Sequence, residues 1–148
     1  MELRSRVVME ALTWIGTPFR FNACVKDVGV DCGRFPHAVY AACGIDCPAV
    51  PHHWPRDFMC HNMADTEPYV ALVSGKFSDV TTPLPGDLAL FMPNGSRCYS
   101  HAAIVTDWPR VIHARGIGSR PKVECASGES WPLAGSPVRF FSPFASNV

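Results

Sequence analysis

Along the first fifteen positions, apolar residues Leu3, Val7, Val8, Ala11, Leu12 and Ile15 recur at three- and four-residue spacing. That spacing predicts a helix over residues 2–15. Gly16-Thr17-Pro18 ends it, because glycine and proline together stop a helix. Residues 19–30 keep no period and read as an irregular arm. A second helical pattern runs from Cys32 to about residue 42, with Phe35, Val39, Ala42 and Cys43 on one side and Gly44 as its stop. Pro36 fits there only if the first turn begins near Gly33. From residue 47 to about 65, prolines 48, 51 and 55 and histidines 52, 53 and 61 predict a long surface excursion. A short helix over about 67–74 follows, with Thr66 as N-cap and Pro68 in its first turn.

After Pro83-Leu84-Pro85-Gly86-Asp87 the period changes. Residues 88–92, 102–105 and 110–113 are short, apolar and bounded by turn residues, and 121–126 and 138–142 are two further candidate strands. Asn94-Gly95 suits a turn between the first two, and Pro109 separates the second from the third. Helices first and strands afterwards predict an α+β fold in which the second helix packs on a small antiparallel sheet. No repeat, linker or low-complexity tract divides the chain, so residues 1–148 read as a single domain.

Composition narrows this picture. A chain of 148 residues that is 47% hydrophobic and 18% charged can bury a real core. Thirteen basic and thirteen acidic side chains cancel, which points away from nucleic acid or an anionic membrane as partner. No apolar run reaches transmembrane length, and the segment after Met1-Glu2-Leu3-Arg4-Ser5-Arg6 has no signal-peptide core. The expectation is a chain made in the cytoplasm that leaves it only if carried. Seven cysteines (24, 32, 43, 47, 60, 98 and 125) form an odd set that argues against a disulfide framework, and most suit buried apolar positions. Cys43-x-x-x-Cys47 with Cys60-His61 is too loose for a zinc site, so neither metal nor cofactor is expected.

Cys32 is the exception among the seven. In Gly29-Val30-Asp31-Cys32-Gly33 it sits where an extended approach meets a helix. Free N–H groups and the positive dipole end there favour a thiolate. Such a nucleophile needs a base and an orienting group. His101 opens one predicted strand and His113 closes the next. If the two strands pair antiparallel, both imidazoles meet at one sheet end. The alternative, histidines merely solvated at strand ends, stays open on spacing alone. His37 reads as a surface residue, and His52-His53-Trp54 as a loop lip over a cleft.

Five segments in order resemble the NlpC/P60 cysteine peptidases, papain-like enzymes that cut peptidoglycan stem peptides. These are Gly16-Thr17-Pro18-Phe19-Arg20, Gly29-Val30-Asp31-Cys32, Pro85-Gly86-Asp87-Leu88-Ala89-Leu90-Phe91, Ser100-His101-Ala102-Ala103-Ile104-Val105 and Ile112-His113-Ala114. The similarity runs from about residue 7 to 141. Asp107-Trp108-Pro109-Arg110-Val111-Ile112-His113 and the closing Pro132-Leu133-Ala134-Gly135 with Phe140-Phe141-Ser142-Pro143 resemble the phage-tail branch. The resemblance implies a papain-like fold, with Cys32 as nucleophile, His101 as general base and acid, and His113 as orienting residue. It also implies the Cys32 N–H in an oxyanion hole, and a bond between D-glutamate and the diamino acid as the target. Asp31 reads as a helix-start residue, and Ser100 as shaping the turn that holds His101. Phe19 replaces a family tyrosine, Gly33-Arg34 replaces Ser-Gly, and Phe21-Asn22-Ala23-Cys24 replaces Gly-Gly. Arg34 would either bind a substrate carboxylate or reach solvent. The implied partners are the peptidoglycan peptide and phage-tail proteins. A tail assembly module of little activity, and an amidase or acyltransferase on another amide, are the alternatives.

Overall fold

The computed structural model describes residues 1–144. Its elements are α1 (Leu3–Leu12), β1 (Cys24–Val25), β2 (Gly29–Val30), α2 (Arg34–Ala42), two 3-10 turns (Phe58–Cys60 and Asn62–Thr66), α3 (Pro68–Ser74), β3 (Ser78–Val80), β4 (Leu88–Phe91), β5 (His101–Asp107), β6 (Arg110–Ala114), β7 (Val123–Ser127) and β8 (Val138–Ser142). β1 and β2 form a small hairpin, and the other strands form one antiparallel sheet in the order β3-β8-β4-β5-β6-β7.

Strand alternation divides the apolar residues between two cores. Leu88, Leu90, Ala102, Ile104 and Ile112 face α1 and α2, whose Val7, Ala11, Phe35 and Val39 complete that layer. Ala89, Phe91, Ala103, Val105 and Val111 face the other way, and Leu133 from the β7–β8 connection covers them beside Trp108. The sheet is therefore buried on both faces, which is why its central strands read as continuous apolar runs.

Two of the five segments act as struts. Gly16, at φ +93, donates its N–H to Val123 O (2.9 Å), and the Thr17 hydroxyl accepts from Asp27 N (3.0 Å), so the end of α1 is tied to β7 and to the hairpin. Asp87, buried, accepts from Leu84 N (2.8 Å) and pairs with Arg4 at 2.9 Å, fixing the turn before β4 to α1. Gly86, at φ +91, takes a conformation that side chains rarely adopt, and its carbonyl receives the Tyr40 hydroxyl at 2.8 Å.

The local differences from the sequence reading have physical causes. The end of the predicted first helix, residues 13–15, is a series of turns because Gly16 leaves for β7. The arm over 19–30 contains the β1–β2 hairpin, and the edge strand β3 was not foreseen. Thr66 does not cap α3. Its hydroxyl donates back to Met63 O (2.8 Å), and Glu67, left-handed at φ 47, makes the entry with Pro68 in the first turn. His37 is half-buried with Nδ1 2.7 Å from Cys47 O, rather than a free surface residue. No helix among the described residues is long and apolar enough to cross a membrane.

Candidate active site

Regular helix begins at Arg34, two residues after Cys32, although the cap lies earlier. Phe35 N donates to Asp31 O (3.0 Å) and Arg34 N to Asp31 Oδ1 (2.9 Å), so Asp31 starts the helix through both main chain and side chain. Pro36 has no N–H to give the Cys32 carbonyl, which delays the regular pattern. The Cys32 sulfur lies 3.9 Å from the Ser100 carbonyl, immediately before His101. Burial, and then the Asp31 carboxylate, push the thiol up to about 12, against a smaller downward pull from the N–H groups of Ala102, Cys32 and Gly33. The helix-start argument thus has the right sign and loses to burial. At neutral pH the group is a thiol.

Arg34 neither reaches solvent nor stands free in the cleft. It is buried, with Nη1 2.5 Å from Asp31 Oδ2 and Nη2 donating to Val50 O at 3.0 Å. His52 Nδ1 lies 3.4 Å from that Nη2 and 3.0 Å from Asn22 Oδ1, so one guanidinium joins the helix start, the arm and the excursion. Removing one partner of a buried ion pair leaves a charge without compensation. Arg34→Met is expected to lower unfolding free energy by about 3–5 kcal/mol in urea titration, with most of it restored by adding Asp31→Asn. A loss within 1 kcal/mol would contradict the pairing.

The histidines meet as the strand geometry requires. His113 is the register partner of Ala103, and His101 stands two residues earlier on the same face of β5. His101 Nε2 and His113 Nδ1 are 2.7 Å apart, with the rings edge to face. Burial, then the neighbouring His113, hold His101 down to about 3, and burial holds His113 down to about 4. Both rings are therefore neutral at pH 7. For His101 Nδ1 to accept a proton, Nε2–H must donate to His113 Nδ1, which leaves the His113 proton on Nε2. That Nε2 is a buried atom with no hydrogen-bond partner among the described residues.

The same shifts set acid stability. Above pH 6.5 both states hold neutral imidazoles. As pH falls towards 4, the unfolded chain takes up protons that buried His113 refuses, so stability is lost across that window. The loss assigned to His113 is roughly 3 kcal/mol by pH 4. Denaturant titrations of wild type and His113→Gln from pH 7.5 to 4 should show a shallower decline in the variant. Parallel declines would contradict the assignment.

A cleft of about 540 Å³ opens between these groups and includes Cys32, Arg34, Phe19, Ser100 and His101 in its lining. The antiparallel order brings the β4–β5 and β6–β7 connections to the sheet end where His101 begins β5. Its lining comes from the excursion, including Val50, Trp54 and Phe58, from residues 93–96, and from Phe19, Phe21, Arg115, Gly116 and Ile117. Trp54 of the predicted lip is in place. Two glycines allow close approach here. A Cβ at Gly33 would stand 2.9 Å from Val50 Cγ2, and one at Gly116 would stand 2.9 Å from Phe19 Cζ. Ser100 is buried with its hydroxyl 3.0 Å from Ser96 Oγ, so it braces the turn before His101.

Sequence reading missed Glu67, whose Oε2 accepts from Tyr99 N (3.0 Å) and holds the approach to His101. It also missed Tyr69, whose hydroxyl donates to Gly33 O (3.1 Å), and Arg115, paired with Glu124 at 3.1 Å. Glu67 had no sequence signal, because an acidic residue before Pro68 reads as an ordinary helix start. Glu124 lies opposite His113 in the β6–β7 register, a placement that needs the exact pairing. Among the described residues no group of three His, Cys, Asp or Glu side chains forms a metal-ligand cluster, and Cys43, Cys47 and Cys60 are free thiols.

No family model and no curated protein matches the chain. Solved structures do. An NLP/P60 family protein similar to lipoprotein from Staphylococcus aureus superposes with a TM-score of 0.65 at 19% identity, over 93% of this chain and 41% of its own. The NlpC/p60 domain of the peptidoglycan hydrolase SagA gives 0.59 at 24% identity, over 94% of this chain and 97% of that one. RipD of Mycobacterium tuberculosis, described as a non-catalytic NlpC/p60 domain protein adapted to peptidoglycan binding, gives 0.55 at 15% identity, over 96% and 97%. The chain spans about two fifths of the length of the larger of these proteins. It has the NlpC/P60 fold.

Proposed function

We propose that this protein is a thiol hydrolase that cleaves an amide bond in the peptide part of peptidoglycan. The observation that carries the reading is the opening of Cys32 and His101 into one cleft, with His113 buried behind His101 and linked to it at 2.7 Å. Because the resting groups are a neutral thiol and a neutral imidazole, attack and proton transfer go together. Cys32 Sγ bonds to the carbonyl carbon as its proton passes to His101. The Cys32 N–H stabilises the oxyanion, and His101 then protonates the departing amine. Water hydrolyses the thioester with His101 as base, and His113 keeps His101 in the required tautomer. The NlpC/P60 fold and the order of the five segments support this reading. Those segments also suggest the bond between D-glutamate and the diamino acid. The phage or prophage tail as carrier rests on residues 107–113 and 132–143 alone. Digestion of purified muropeptides tests the proposal: the wild type should release new peptides and Cys32→Ala should not. Equal release by both would sink it.

A second reading, a cell-wall-binding or tail assembly module, is favoured by the thiol held at about 12 and by a non-catalytic protein sharing the fold. Retention of muropeptides without cleavage by wild type would select it.

A further inference from the structure

We infer that Arg56 sets the specificity of the cleft by holding a substrate carboxylate that flanks the scissile bond. The inference rests on the thiol-hydrolase reading and names the residue that recognises its substrate. Asp31 is the one carboxylate in the lining, and buried Arg34 neutralises it. Arg115, also in the lining, gives its guanidinium to Glu124 and to the carbonyls of Ile117, Ser119 and Arg120. His101 is neutral at pH 7. Arg56 differs from all of these. It is exposed, lines the same cleft as Cys32, and pairs with no carboxylate among the described residues. The adjacent Asp57 lies with Oδ1 3.5 Å from His61 Nε2 and is not part of the lining. Among the described residues the cleft therefore presents one positive charge that nothing in it compensates.

That charge is also held in place. Arg56 Cζ stands 5.5 Å from the centre of the Phe21 ring, so the excursion and the arm meet at this point of the lining. An aromatic ring attracts the guanidinium and leaves N–H groups able to donate elsewhere. Two parallel N–H groups match the two oxygens of a carboxylate, a fit that a lysine ammonium does not reproduce. The proposed bond supplies such a group by its own chemistry. A glutamyl residue that gives one carboxyl to the scissile amide keeps the other as a free carboxylate on the acyl side. A carboxylate of the diamino acid is the second source, on the leaving side. Either one loses water on entering the cleft, and Arg56 is the lining residue with a charge left to offset that cost.

The test compares kcat/KM on four synthetic stem tetrapeptides containing diaminopimelate. The free glutamyl carboxylate and the free side-chain carboxylate of diaminopimelate are each present as acid or as primary amide. On the peptide with both acids, Arg56→Gln should lower kcat/KM at least about tenfold, mainly through KM, with Arg56→Lys in between. Amidating the carboxylate that Arg56 holds should shrink the ratio of wild type to Arg56→Gln below about threefold, and amidating the other should leave it large. The amide that shrinks the ratio identifies the source. Raising salt from about 0.05 to 0.5 M should narrow the wild type's preference for acid over amide. An undiminished ratio on the doubly amidated peptide, or a ratio near one on the acid, overturns the inference and leaves the hydrolase reading intact. If the wild type cuts none of the four, the hydrolase reading fails, and calorimetric binding to Cys32→Ala decides the inference separately. The acid peptide should then bind at least about tenfold more weakly once Arg56→Gln is added, and an equal Kd overturns the inference.

Discussion

Replacing Cys32 by alanine is expected to lower turnover by about 10,000-fold or more while the fold persists. Its sulfur lines the cleft 3.9 Å from the Ser100 carbonyl, and truncation to alanine removes the reacting atom alone. The thermal midpoint should stay within a few degrees of wild type, which separates lost chemistry from lost structure. Serine in the same place should fare no better than alanine by more than a small factor, because a hydroxyl ionises less readily than a thiol. The alkylation profile adds a sign to the test. With the thiol pushed far above its ordinary range, iodoacetamide labelling of Cys32 should climb steadily through pH 9. A plateau reached near neutrality would mean a preformed thiolate and would contradict this geometry.

Loss of the base should be nearly as severe. His101→Ala is expected to cost about 1,000- to 10,000-fold in kcat/KM, and the double variant with Cys32→Ala should be no worse than Cys32→Ala alone. The reason is the neutral resting pair: without His101 nothing in the site takes the thiol proton as the sulfur attacks. His113→Ala should cost less, because it orients the base from 2.7 Å and does not meet substrate. The pH–rate profile reports the same arrangement. With His101 held down to about 3, the acid limb of kcat/KM should fall well below pH 6.5, the ordinary imidazole value. An acid limb at 6.5 would place His101 in water instead of in the site.

What was legible in the sequence depended on repetition and on punctuation. The helix carrying Phe35 and Val39 and the strands around Leu90, Ile104 and Ile112 repeat an apolar pattern over enough residues to be read. The meeting of His101 and His113 was legible as a condition, that their two strands pair antiparallel, and β5 and β6 do so. The β1–β2 hairpin and β3 were not legible, since strands of two and three residues are too short to carry a period. The buried state of Arg34 was invisible for another reason. An arginine three residues after an aspartate is an ordinary surface pairing, and only Val50 and His52, brought in by a loop without regular structure, enclose it. The thiol is the sharpest case. Position at a helix start gave the direction of one influence, while the burial and the Asp31 charge that outweigh it are properties of the packed site.

The most direct test is to trap the bond to sulfur. The enzyme is mixed with p-nitrophenyl acetate, quenched in acid within the first turnover, digested with trypsin and weighed by mass spectrometry. Cleavage after Lys26 and Arg34 isolates residues 27–34, in which Cys32 is the only cysteine. The expected result is an acetyl adduct on that peptide alone, absent from Cys32→Ala and accumulating only slowly in His101→Ala. An adduct on another of the seven cysteines, or none on 27–34 while product forms at the wild-type rate, would contradict the assignment of Cys32 as the nucleophile.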